Sequence, residues 1–262
     1  MFKTQDPSLI SYLRYPLTSH RGDIFLNFQN LNPPSYPLVF SSSYVMSVWP
    51  YPKLETVRPI LKKLGTGFRD LPECLTGSPL FTIVDRLREI TIGYDKYLHQ
   101  VTPHPSLERI LWARNSLQHD LISLPERSDE LLKHNTCLYE LCRLGTMAYT
   151  LLVLFPVPRV TGMHPRLAKR LLTAMDNCLI LGMWDEYPGL LLWATILGGI
   201  IAEGTPNLRQ LYISISRWTS VKHNTSAWNL VREICAGFLW LEDECDEDGR
   251  VLWNDICAAT ID

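Results

Sequence analysis

Two stretches of this chain are apolar on every helical side. One is TMAYTLLVLFPV, from Thr146 to Val157; the other is LLLWATILGGIIA, from Leu190 to Ala202. Both are shorter than the roughly 20 apolar residues a bilayer demands. A helix with no polar face then has one stable place, the centre of a protein core. The fold expected is therefore all-α: two buried central helices wrapped by amphipathic ones. The pair Gly198-Gly199 inside the second stretch would let a neighbouring helix approach closely.

The wrapping helices are legible from their spacing. Leu80, Val84, Leu87, Thr91, Tyr94 and Leu98 form one stripe, with Asp85, Arg88, Glu89 and Asp95 off it. Ser78 and Pro79 suit the start of that helix. Leu107, Ile110, Ala113, Leu117 and Leu121 mark the next helix, and Ser128 with Asp129 and Glu130 opens the one after, which stops before Pro156 and Pro158. Pro165 and Pro188 each sit in a first turn, and the Pro188 helix ends by Gly204. Leu208, Leu211, Ile215 and Trp218 predict a further amphipathic helix, Leu230, Ile234, Phe238 and Leu241 another, and Val251, Leu252 and Ile256 a last one. With a short helix stopped at Gly65, that makes about nine helices, with no hairpin signal and no repeat.

Proline separates the beginning of the chain from this pattern. Ten of the 18 prolines fall in the first 79 residues. Residues 1–52 are expected as an irregular, Pro- and aromatic-rich lead-in, extended over Asn30 to Pro52, with part of its aromatics on the core. Residues 53–262 are expected as a single helical domain.

Charge and cysteine use narrow the function. The formal net charge is −2, so no global basic bias points to nucleic acid or an anionic membrane. Eight acids against one base lie between Glu242 and Asp262, leaving a mildly basic body. The seven cysteines, Cys74, Cys137, Cys142, Cys178, Cys235, Cys245 and Cys257, are odd in number and never spaced CxxC. No secretory signal precedes them, so reduced thiols in a nuclear or cytosolic protein are expected, and the sequon Asn224-Thr225-Ser226 carries little meaning. Lys62-Lys63 and Arg166 with Lys169-Arg170 read as solvated helix faces.

Catalytic signatures are missing: no GxSxG, HExxH, P-loop or GxGxxG occurs, and Gly65-Thr66-Gly67 reads as a helix stop. His119-Asp120 has the composition of an acid–base pair, but sequence neighbours on a helix face different ways. The acidic run nearly fits a calcium loop, with Glu244, Asp246 and Asp248 at the first three ligand positions, Gly249 at the turn and Asp255 at the last. Glu at the first position and Asp at the last depart from that pattern, and no second loop pairs with it. An inter-helix loop feeding the start of the last helix is the simpler reading. No catalytic, cofactor-binding or metal-ligating residue is assigned, and the chain is not expected to be an enzyme.

Four segments carry a resemblance. LETVRPILKKLGTGFRDLPECL, HPRLAKRLLTAMD (His164 to Asp176), LLLWATILGGIIAEG (Leu190 to Gly204) and FLWLEDECDEDGRVLWNDI (Phe238 to Ile256) resemble, in order and spacing, the regulatory region of fungal zinc-cluster transcription factors. That region is the fungal-specific transcription factor domain, and the likeness covers roughly the last 200 residues. It implies an all-α regulatory domain in a nuclear protein that controls transcription by RNA polymerase II. Partners would be proteins of the transcription machinery or a second copy in a homodimer, with a small-molecule effector as a further option. The family reads DNA through a separate six-cysteine cluster. No cysteine precedes Cys74, so DNA binding is not carried over. A scaffold without a transcriptional role, and an all-α small-molecule binder or enzyme, are the alternatives.

Overall fold

The computed structural model describes residues 56–125, 133–155, 161–222 and 227–258, together with residues 27, 32–35, 42–47 and 49. Every regular element among them is helical, as the sequence predicts. In chain order these are α1 (Ser42–Ser47), α2 (Pro59–Lys62), a 3-10 turn (Thr66–Asp70), α3 (Glu73–Thr76), α4 (Pro79–Leu98), α5 (Leu107–Ser123), α6 (Lys133–Val153), α7 (Met163–Ile180), α8 (Pro188–Ile201), α9 (Pro206–Lys222), α10 (Trp228–Gly237) and α11 (Glu242–Ala258).

Helix α8 is the axis of the molecule. Every side chain from Leu190 to Ile201 is at most 2% exposed. It touches α6, α7, α9, α10, α11 and the 3-10 turn. The second central helix, α6, is buried continuously from Leu141 to Thr150. One charge lies within that run: Arg143 is 2% exposed and donates to both oxygens of Glu140, at 2.8 and 2.7 Å. The bidentate pairing compensates the desolvation of the guanidinium.

The expected close approach at Gly198-Gly199 is present. A Cβ on Gly198 would overlap the ring of Tyr212 on α9, and one on Gly199 would overlap Leu252 on α11. The Tyr212 hydroxyl continues across to α7, donating to the Ala168 carbonyl at 2.7 Å. Opposite this side, Trp193 fills the space above Gly145 of α6. Its indole N–H donates to the Leu239 carbonyl at 2.9 Å, and its ring stacks on Phe238 with centroids 5.6 Å apart.

The α4 stripe is buried from Leu80 to Tyr94, with Leu98 emerging at 36% exposure. Three expectations are corrected. The first concerns α9: Leu211 and Trp218 point outward at 52% and 44%, while Tyr212, Ser216 and Thr219 form the inner face. The glycine notch in α8 admits the Tyr212 ring, and the small hydroxyl residues that follow let the helices lie close. Thr219 settles its own hydroxyl on the Ser216 carbonyl at 2.9 Å, as hydroxyls in helices commonly do. Similarly, Leu230 and Val251 are outside, and the inner faces run through Val231 and Cys235 on α10 and through Cys245, Gly249, Leu252 and Ile256 on α11.

The second correction is α1, a short helix inside the stretch expected as extended; Val45 and Trp49 reach the core, as its aromatic character suggested. The third is Asp95, which is 3% exposed rather than off the buried face. The rest of the lead-in, the helix start at Ser128 to Glu130 and the sequon at Asn224 lie outside the described residues. No described helix is long and apolar enough to cross a membrane.

Two outcomes follow. Gly198→Ala should cost about 1–3 kcal/mol by overpacking, while Gly204→Ala, with nothing within 4 Å of its Cβ, should be near neutral in urea denaturation. All seven cysteines are free, and burial pushes the thiols of Cys142, Cys235 and Cys245 up, and that of Cys178 to about 12. A disulfide-exchange reagent should therefore label exposed Cys74 and Cys257 rapidly and these four only on unfolding.

Candidate functional site

The densest group of charged side chains lies where the end of α4 meets the start of α11. The arrangement begins with Arg58, just ahead of α2. Its guanidinium bonds the Asp95 carboxylate, Asp243 at 2.6 Å and Glu242 at 3.3 Å. Asp95 and Asp243 more than offset the cost of burying this cation and hold its proton more tightly. His99 stands one turn beyond Asp95. Its Nδ1 lies 2.9 Å from the Asp95 carbonyl oxygen, and its Nε2 lies 3.6 Å from Oδ1 of Asp243.

Neighbouring ties extend the group. The ammonium of Lys96, itself 2% exposed, donates to the Thr56 hydroxyl at 2.6 Å. Tyr94 donates to Glu244 at 3.1 Å. Burial pushes the Glu244 carboxyl up, against the opposing effect of that hydrogen bond. Arg232 of α10 reaches Glu242 at 3.2 Å and Asp246 at 3.5 Å, and the Trp240 indole donates to Asp246 at 2.7 Å.

The segment after Arg58 is fastened to the same corner. Gly65, left-handed at φ +79°, donates its N–H to the Phe238 carbonyl at 2.6 Å. Phe68 packs edge-on against Phe238 and Trp193, with centroids 5.1 and 5.5 Å away. Lys63 meets Glu233 at 3.3 Å on the surface. The charged group therefore ties residues 56–70 to the corner between α10 and α11.

The acidic run is corrected by this geometry. It is the first turns of α11, not an inter-helix loop. Glu244 and Asp255 are eleven residues apart on one helix, a separation of about 16 Å at 1.5 Å per residue. They cannot close around one calcium ion. Asp255 instead pairs with Arg209 at 2.7 Å, and buried Gly249 makes room for Trp228. Glu242, Asp243 and Glu244 gain from the positive end of the helix.

His119 and Asp120, expected to face apart, meet at 3.5 Å, but Asp120 also pairs with Arg86 at 2.8 Å. Arg170 reaches Glu140 at 3.6 Å. The residues that sequence reasoning passed over are Arg58, Asp95 and His99. The available signal was Asp-x3-His at the end of α4, which puts both side chains on one face. Of the described residues, Asp95, His99 and Asp243 are the group that could hold a metal ion, with ligand atoms within 4.8 Å of one another. Comparison with family models, curated proteins and solved structures gives no match.

Arg58→Ala should destabilise the protein by about 1–3 kcal/mol, less than the 3–5 of a fully buried pair because Arg58 keeps solvent contact. Denaturation at low and high salt checks this. Asp95 left buried without the guanidinium is the source of the loss, so added salt should recover little of it.

Proposed function

We propose that this chain is a regulatory domain of the kind carried by fungal zinc-cluster transcription factors, acting through protein contacts in RNA polymerase II transcription. In this reading it does not read DNA itself, it works in the nucleus, and it is not an enzyme. The four sequence segments quoted above support the family likeness, and the all-helical fold is consistent with it.

One structural observation carries the protein-binding part. Large apolar side chains are left outside at the end of α7 and on α9. Leu179 and Ile180 end α7 at 49% and 79% exposure. Four residues after Ile180 comes Trp184, whose buried ring meets exposed Trp218 edge-on, with centroids 5.1 Å apart. Leu211 lies two turns back along α9 on the same face. Exposed apolar groups gathered in this way mark surfaces that bind other proteins.

Fusion to an unrelated DNA-binding domain tests the reading. The fusion should activate or repress a reporter, and Ile180→Ser with Leu211→Ser, both at exposed positions, should cut that effect severalfold with little change in thermal stability. Silence in both formats favours a scaffold with no transcriptional role. The isolated protein should not retard duplex DNA; sequence-selective, salt-sensitive retardation contradicts this part of the proposal.

A further inference from the structure

At the meeting of α4 and α11, two acceptors face each other. The Asp95 carbonyl can only accept, so Nδ1 of His99, 2.9 Å away, carries the ring proton and donates it. Nε2 is then the lone-pair nitrogen, and it looks at Oδ1 of Asp243 from 3.6 Å. A lone pair and a carboxylate oxygen held this way call for a cation between them, a proton or a metal ion. Arg58 does not fill that position: it holds Asp243 through the other oxygen, Oδ2, at 2.6 Å. The third group, the Asp95 carboxylate, is nearly buried, is fixed by the same guanidinium, and stands with Oδ1 3.5 Å from Nδ1 of the His99 ring.

We propose that Asp95, His99 and Asp243 form a binding site for a divalent transition metal of the zinc class. The ligand set is two carboxylates and one imidazole. Zinc bonds of about 2.0–2.2 Å place neighbouring tetrahedral ligands about 3.3–3.6 Å apart, and His99 and Asp243 stand at 3.6 Å. Asp95 and His99 come from successive turns at the end of one helix and Asp243 from the start of another, and the three ligand atoms already lie within 4.8 Å of one another, so closing on an ion needs the Asp95 carboxylate to turn towards Nε2. The support that metal-binding imidazoles require is already present, since the Nδ1–H bond to a carbonyl sets the tautomer and the ring angle. Arg58 does the same for the two carboxylates.

Charge and access agree with this assignment. Arg58 is shared among three carboxylates, Asp95, Asp243 and Glu242, the last of which Arg232 also holds, so the group keeps a net negative charge to receive the ion. His99 and Asp243 are 40% and 38% exposed, which gives the ion and a completing water a way in. Calcium and magnesium prefer six or more oxygen ligands, and an imidazole selects against them. A bound ion would clamp the end of α4 to the start of α11, beside the segment that Arg58 already fastens there.

The test uses the full-length purified protein with zinc or cobalt chloride alone at neutral pH, in calorimetry, thermal melts and visible spectroscopy. Zinc should bind one per chain and raise the melting temperature, and cobalt should give the visible bands of a low-symmetry, few-ligand site. His99→Gln and Asp243→Asn should each weaken zinc by more than about tenfold, since loss of a supporting group alone costs 10–100-fold. Both positions are solvent-exposed, and if Asp243→Asn fails to fold, His99→Gln decides. Absence of saturable zinc binding overturns the proposal. So does unchanged affinity in His99→Gln, which would place the ion on exposed thiols instead.

Discussion

The described helices are arranged around the burial of α8 from Leu190 to Ile201. A helix with no polar face cannot lie on a surface, so the other helices are obliged to enclose it. Enclosure on all sides needs room, and the glycines at 198 and 199 supply it where Tyr212 and Leu252 come in. Trp193 does the reverse on the opposite side, filling the gap over Gly145 and anchoring the α10–α11 corner through the Leu239 carbonyl. Burial of apolar surface is the main favourable contribution to the fold, and this helix supplies a continuous stretch of it.

The charged group follows from that arrangement. Packing α11 against α8 brings its acidic first turns next to the end of α4 and to Arg58. Seven consecutive positions, Glu242 to Asp248, include six acids. In water they would repel one another. Here the helix dipole, Arg58, Arg232, Tyr94 and Trp240 distribute that charge among fixed donors. The same packing leaves Leu179 and Ile180 at the end of α7, and Leu211 and Trp218 on α9, exposed to solvent.

Much of the fold was legible because helix burial writes a period into the chain. The α4 stripe and the two all-apolar helices needed no tertiary information, and Gly198-Gly199 announced a close contact. The rotation of α9 was not legible. Leu211 and Trp218 are more hydrophobic than Ser216 and Thr219, yet the close fit to the α8 glycines puts the small hydroxyl residues inside. Asp95 was misread for a similar reason: its burial comes from Arg58 and α11, distant in sequence. Three glutamates and aspartates in a row look like a loop only until a helix N-terminus is seen to favour them. The candidate site itself spans residues 58, 95, 99 and 243, and no local pattern joins positions so far apart.

The central claim is that α8 is the structural axis around which the other helices pack. Native-state hydrogen exchange tests this directly. The amides of Leu191 to Ile201 should exchange only through global unfolding, with the highest protection in the chain and the full denaturant dependence of the unfolding reaction. Exchange of these amides through a smaller, sub-global opening, at lower free energy than those of α7 or α9, would contradict it.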